Sequence, residues 1–134
     1  DLSKSLIQTA NPSQQTLAVG SVISLGSVLR RFGCNCRLNG NAIEVEGEGY
    51  YTIDVSVTAS PTTAGTVTIG IYQNGVIIPG TLISESVSTA GNPTTLSVPT
   101  TIRQRCCDSA SSITIVLVAG AGIVNNISVR VVKE

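Results

Sequence analysis

The sequence predicts an all-β fold, an antiparallel sandwich or barrel of roughly eight to ten short strands. Three observations carry that expectation. Apolar and polar residues alternate over long stretches, turn signals recur about every 8–12 residues, and no segment offers a helix that could cover a parallel sheet. Composition agrees. The apolar content is Val, Ile, Leu and Ala beside abundant Thr and Ser, with one phenylalanine, Phe32, and three tyrosines. At 134 residues the chain fits one domain and can bury a core without a metal or a disulfide.

Residues 1–16, "DLSKSLIQTANPSQQT", read as a polar N-terminal lead-in or assembly arm, with an apolar island at Leu6-Ile7 and punctuation at Asn11-Pro12. Residues 17–134 then make the folded domain. In "LAVGSVISLGSVLRRFG", Val22, Leu25, Leu29 and Phe32 fall at helical spacing, but Gly20, Gly26 and the β-branched content favour strands broken at those glycines. "AIEVEGEG" sets Ile43 and Val45 against Glu44 and Glu46. "GYYTIDVSVTAS" sets Tyr51, Ile53, Val55 and Val57 against Thr52, Asp54 and Ser56, a strand with one buried face. "PTTAG" turns the chain into "TVTIGIY", with Val67, Ile69 and Ile71 on one side. Asn74-Gly75 is a hairpin signal. "VIIPGTLIS" follows, punctuated by Pro79-Gly80. "TLSVPTTIRQR" runs extended, with a proline that suits an edge or a bulge. "SSITIVLVAG" is apolar on both faces, so one face belongs to the core and the other needs a loop or another subunit. "NNISVRVVKE" is the last strand; its Asn126-Ile127-Ser128 matches a glycosylation sequon.

The charge pattern narrows function. Eight basic and eight acidic residues give net zero charge, which supplies no general attraction to nucleic acid or to an anionic membrane. No apolar run approaches a membrane span. Methionine is absent even at position 1, so either the start is processed or trimmed or it lies before Asp1. Histidine is absent too, removing the commonest general acid/base and metal ligand. No catalytic triad, phosphate loop or supported carboxylate pair is present. An enzyme is therefore the least supported class, and neither a cofactor nor a metal is expected. Glu44, Glu46 and Glu48 form an acidic row that, with Asp54, has the oxygen ligands calcium wants, but a solvated strand face explains it more simply.

"GNAIEVEGEGYYTIDVSV", "GTVTIGIYQNGVIIPGT", "SSITIVLVAG" and "NISVRVVKE", in that order, resemble the jelly roll of tumour-necrosis-factor-like and complement-type globular heads. The Gly49-Tyr50-Tyr51 opening of a central strand and the Tyr72-Gln73-Asn74-Gly75 hairpin are its clearest marks. From about Asn11 to the end the chain is similar to small proteins of that fold from prophages and spore-forming bacteria, with cysteine clusters in the same two places. The resemblance implies an antiparallel two-sheet jelly-roll sandwich, usually a threefold homotrimer, whose members display or bind. It implies a non-enzymatic structural protein of a phage virion, of decoration, head-fibre or tail-tip type. Its place would be a virion surface or an extracellular or spore surface, and its partners itself and other virion or surface proteins. Two alternatives stand beside it. One is a subunit of a bacterial cell- or spore-surface filament joined by its N-terminal arm and disulfides. The other is a carbohydrate- or receptor-binding module, with a host glycan as partner. Aromatic residues are few here, so Tyr50, Val116 and Val118 are the expected subunit contacts.

Four cysteines remain to be placed: Cys34 and Cys36 in "RRFGCNCRLNG", and Cys106 and Cys107 in "IRQRCCDSA". Neither spacing fits the usual zinc pairs. Five of the eight basic residues, Arg30, Arg31, Arg37, Arg103 and Arg105, flank them. Positive charge favours a reactive thiolate, but no histidine base accompanies it. The even count favours disulfides between the two clusters or between subunits, since adjacent cysteines face opposite sides of an extended strand and seldom bond to each other. Reduced, buried and inert cysteines are the remaining reading. The five arginines are also candidates to seize a phosphate, sulfate or acidic sugar, against the plainer reading of a solvated end.

Overall fold

A burial period of two runs through the long strands of the computed structural model, which describes residues 4–134. In β6 (Gly49–Pro61), Tyr51, Ile53 and Val57 are fully buried while Tyr50, just before them, and Asp54, between them, are exposed. The same alternation orients β7 (Gly65–Gln73), β10 (Thr94–Gln104), β11 (Ser111–Ala119) and β12 (Gly122–Lys133). The shorter strands are β1 (Ser5–Asn11), β2 (Gln15–Leu17), β3 (Ser27–Phe32), β4 (Cys36–Asn39), β5 (Ala42–Val45), β8 (Val76–Ile77) and β9 (Ile83–Val87).

All pairings are antiparallel, in two six-stranded sheets. The first runs β10-β6-β12-β1-β3, with β2 also on β12. The second runs β4-β5-β11-β7-β8, with β9 also on β7. Inner faces meet in one core, in which Ile7, Tyr51, Ile53 and Val131 of the first sheet face Ile43, Ile69, Ile71 and Ile115 of the second. This is an antiparallel jelly-roll sandwich. Twelve strands exceed the roughly eight to ten expected because β2 and β8, at three and two residues, are too short to show an alternation.

The N-terminal segment corrects the sequence reading. Residues 1–3 lie outside the described residues, but from Ser5 the supposed lead-in is an interior strand between β12 and β3. Its buried positions are Ser5, Ile7, Thr9 and Asn11, three of them polar. A hydrophobicity pattern cannot reveal such a face. Hydrogen bonds satisfy two of the three: Ser5 Oγ donates to Asn35 Oδ1 at 2.7 Å and Asn11 Nδ2 to the Ser24 carbonyl at 3.1 Å, while Thr9 Oγ1 has no partner among the described residues.

The ambiguous stretch after it is not helical. The chain breaks at Gly20 and Gly26, whose φ values of +89° and +77° suit glycine. Between them Val22 pairs with Val116, extending the second sheet beyond the end of β5. At the β7–β8 hairpin, Asn74 (φ 53°) and Gly75 (φ 82°) are both left-handed, as the Asn-Gly signal predicts. Pro99 lies on β10, an edge strand that tolerates the missing donor.

Candidate assembly face

The register of the first sheet fixes what its outer face presents, because directly paired residues share a face. One row holds Phe32, Leu6, Val132, Thr52 and Thr101. The next holds Arg30, Gln8, Arg130, Asp54 and Pro99. A third is small: Ser27, Ala10, Ser128, Ser56 and Ser97. Phe32 is 62% exposed, and Tyr50, beyond the first row, is 53% exposed. A shallow hollow lies over the middle, among Gln8, Asp54, Ser56, Pro99 and Arg130. Asp54 and Arg130 face each other across β6 and β12. Among the described residues, the ion pairs are those of Arg37 with Glu44 and Glu46, so neither Asp54 nor Arg130 is in one.

The second sheet's outer face is covered by its own chain at Gly70, while Val76 and Leu82 nearby stay 66% and 56% exposed. A Cβ on Gly70 would lie 2.7 Å from Ile77 Cδ1 and 3.1 Å from Leu82 Cδ2, so these side chains close over that strand. Thr81, fully buried, bridges the gap between β8 and β9: its hydroxyl accepts from the Ile71 amide at 3.2 Å and donates to the Ile78 carbonyl at 2.7 Å. Val116 lies between Gly70 and Val22 and is half-buried, as is Val118. The three expected subunit contacts thus divide. Tyr50 is on the first sheet, and Val116 and Val118 are on the opposite side of the sandwich.

The five arginines do not converge either. Arg30 and Arg103 sit on opposite edge strands, four strand spacings or ~19 Å apart. Arg31 donates from Nε to the Cys36 carbonyl at 2.8 Å. Arg37 on the second sheet is held by Glu44 at 2.6 Å and Glu46 at 3.4 Å. The Arg103 guanidinium stands 5.6 Å from the centre of the Tyr50 ring. Arg105 belongs to the turn after β10. The acidic row is similarly engaged: the Asn39 amide, followed by Arg37, holds the Glu44 carboxyl below its ordinary range.

The four thiols are free, and the two clusters are not joined. Cys36 is buried, and desolvation pushes its thiol up to about 11 despite the nearby charges of Arg31 and Lys133. That is the inert kind of cysteine. Beside it the Tyr51 hydroxyl, directed to the Glu46 and Gly47 carbonyls at 3.0 and 2.8 Å, is also pushed up by burial, to about 12. Cys34, Cys106 and Cys107 are exposed. The Cys106 and Cys107 sulfurs lie 3.1 Å apart. The expectation that neighbouring cysteines diverge holds for a strand, but these two occupy a turn.

Sequence reasoning missed Gly49 and Lys133 as partners. Lys133 is 5% exposed. A Cβ on Gly49 would stand 2.7 Å from Lys133 Cε, so the absent side chain gives the lysine stem its room. The "GYY" motif contained the signal, in its glycine.

No protein-family model and no curated protein matches the chain. Solved structures do. The globular domain of the zebrafish complement 1qA protein superposes with a TM-score of 0.70 at 8% identity, covering 93% of this chain and 94% of that one. Murine APRIL at pH 8.5 gives 0.73 at 12% identity, covering 98% and 99%. The fold is that of the TNF-like jelly rolls. The PRD1 vertex protein P5 shares it, with a TM-score of 0.61 at 11% identity and 96% of both chains covered. At these identities the likeness is one of fold alone. Within this fold, the outer face formed by β10, β6, β12, β1 and β3 presents Phe32 and Tyr50 to solvent.

Proposed function

We propose that this chain is a non-enzymatic structural and display protein of a phage virion, built as a homotrimer through the outer face of its first sheet. One observation carries the reading. The outer face of the first sheet presents exposed Phe32 and Tyr50 beside a shallow hollow, where Asp54 and Arg130 face each other and neither is in an ion pair among the described residues. The likeness to a virion vertex protein supports the setting, and the likeness to complement-type and TNF-like domains supports self-association. Small serines in the third row let backbones approach closely, while Arg130 and Asp54 give the contact a register. The location that follows is a virion surface.

Native mass spectrometry and light scattering over a concentration series test it. The wild type is a trimer of fixed mass, because a threefold contact closes. Arg130→Glu places two acids opposite each other and shifts the protein to monomer with an unchanged circular dichroism spectrum. Val118→Asp, on the other sheet, leaves the trimer intact. A wild-type monomer at every concentration, or a trimer broken by Val118→Asp and indifferent to Arg130→Glu, defeats the proposal.

A further inference from the structure

The turn joining β10 to β11 carries a feature that assembly does not use. Arg105 and Asp108 close it twice: the Asp108 amide donates to the Arg105 carbonyl at 3.2 Å, and the Arg105 amide donates to Asp108 Oδ2 at 2.8 Å. Cys106 and Cys107 therefore occupy its two central positions. Cys107 has φ +72°, a conformation usually filled by Gly or Asn, and is one of two non-glycine residues of that kind among those described. The other is Asn74 of the Asn-Gly hairpin. A cysteine at such a site needs a reason beyond turn chemistry. The conformation brings both sulfurs to one side, 3.1 Å apart, and both residues are exposed.

We propose that Cys106 and Cys107 form a vicinal dithiol site that closes into a disulfide within this turn. The oxidant is a small-molecule disulfide such as oxidised glutathione. One cysteine thiolate attacks its S–S bond, forms a mixed disulfide and releases one glutathione thiol. The neighbouring thiolate then attacks the protein-side sulfur, the Cys106 Sγ–Cys107 Sγ bond forms, and the second glutathione thiol leaves. The protein loses two electrons, oxidised glutathione gains them, and the two cysteine protons end on the two released thiols. Thiol–thiol hydrogen bonding already couples the pair, raising Cys106 above its ordinary value, with Glu48 a smaller cause. The ring has eight atoms and spans one peptide unit. Its Cα atoms are about 3.8 Å apart, shorter than the roughly 4.4–6.8 Å of ordinary disulfides. The closed form is therefore strained and exposed, the kind that reducing thiols reopen easily.

A tryptic digest separates a bridge within either cluster from a bridge between them. Cleavage after Arg105 and Arg130 puts Cys106 and Cys107 on one peptide, and cleavage after Arg31 and Arg37 puts Cys34 and Cys36 on another. The folded protein is treated with oxidised glutathione, alkylated unfolded, and digested. The expected result is a 106–130 peptide two hydrogens lighter and unalkylated, which takes up two alkyl groups after brief treatment with dithiothreitol. The Cys107→Ser variant, its fold checked by circular dichroism, instead retains one glutathione on Cys106. Phenylarsine oxide, which needs two adjacent thiols, protects the wild-type peptide from alkylation at one equivalent and the variant's not at all. A 106–130 peptide carrying two glutathiones, or one cross-linked to the 32–37 peptide, overturns the proposal.

Discussion

Ile7→Ala is the most direct test of where the N-terminal segment belongs. Ile7 is fully buried on β1, between Val131 of β12 and Arg31 of β3, and its side chain sits in the common core. Truncating a buried isoleucine to alanine costs about 2–5 kcal/mol, the spread reflecting how far the site collapses. A chain of 134 residues has an unfolding entropy of roughly 0.28 kcal/mol/K, so a loss near 3 kcal/mol lowers the melting temperature by about 11 °C. The control is Val76→Ala on β8, a residue 66% exposed and outside the first sheet. It should cost well under half as much. Both are read by thermal circular dichroism at one protein concentration, since assembly makes melting concentration-dependent. If Ile7→Ala melts within about 2 °C of wild type, less than 1 kcal/mol by the same entropy, β1 contributes nothing to the core and the arm reading returns.

Two further outcomes follow from the fold. Gly120→Ala is strongly destabilising, because φ is +86° and the new Cβ would stand 2.9 Å from Val67 Cα and 3.0 Å from the Thr66 carbonyl oxygen. Gly75→Ala meets nothing within 4 Å and costs only its left-handed backbone, about 1–2 kcal/mol; equal melting temperatures for the two variants would contradict the packing at Gly120. Stability also falls at alkaline pH. Cys36 and Tyr51 are held at about 11 and 12 by burial, above ordinary values of 9.0 and 10.0, so the unfolded chain ionises first. Their contribution is whole below pH 9 and is lost as pH rises towards 11 and then 12. Cys36→Val removes the first part of that decline, and a melting temperature that is flat in the wild type from pH 9 to 11 would refute the assignment.

The sandwich was legible wherever burial and hydrophobicity coincide. β6 and β7 bury Ile53, Val57, Val67, Ile69 and Ile71 at alternate positions and show it in their letters. Turn chemistry was legible for the same local reason at Asn74-Gly75 and at the two breaks, Gly20 and Gly26. What failed was any inference that needed to know which strands meet. β1 hid its membership because Ser5, Thr9 and Asn11 are polar and buried, Ser5 and Asn11 being satisfied by Asn35 and Ser24, well away in sequence. The arginines looked like one cluster because they neighbour cysteines in sequence, yet the sheet order sends Arg30 and Arg103 to opposite edges. Tyr50 and Val116 were grouped as contacts although their strands lie in different sheets. Adjacent cysteines were expected to diverge because the extended geometry was assumed; one left-handed residue reverses that.

The scarcity of charge makes the free Asp54–Arg130 pair informative. Arg37 is engaged with Glu44 and Glu46, Arg31 with a backbone carbonyl, and Arg103 stands over an aromatic ring. These interactions hold the fold's own loops and strands together. Arg130 and Asp54 are in no such interaction, although they face each other in the middle of the first sheet. On a surface meant only for water, such a pair is unremarkable and worth little. On a face meeting its own copies about a threefold axis, an unbalanced arginine would repel its two images. An aspartate beside it turns the same row into alternating charge. With few aromatic residues to anchor a contact, such a row would fix orientation, and the neighbouring serines and alanine would let the backbones come close enough for it to count.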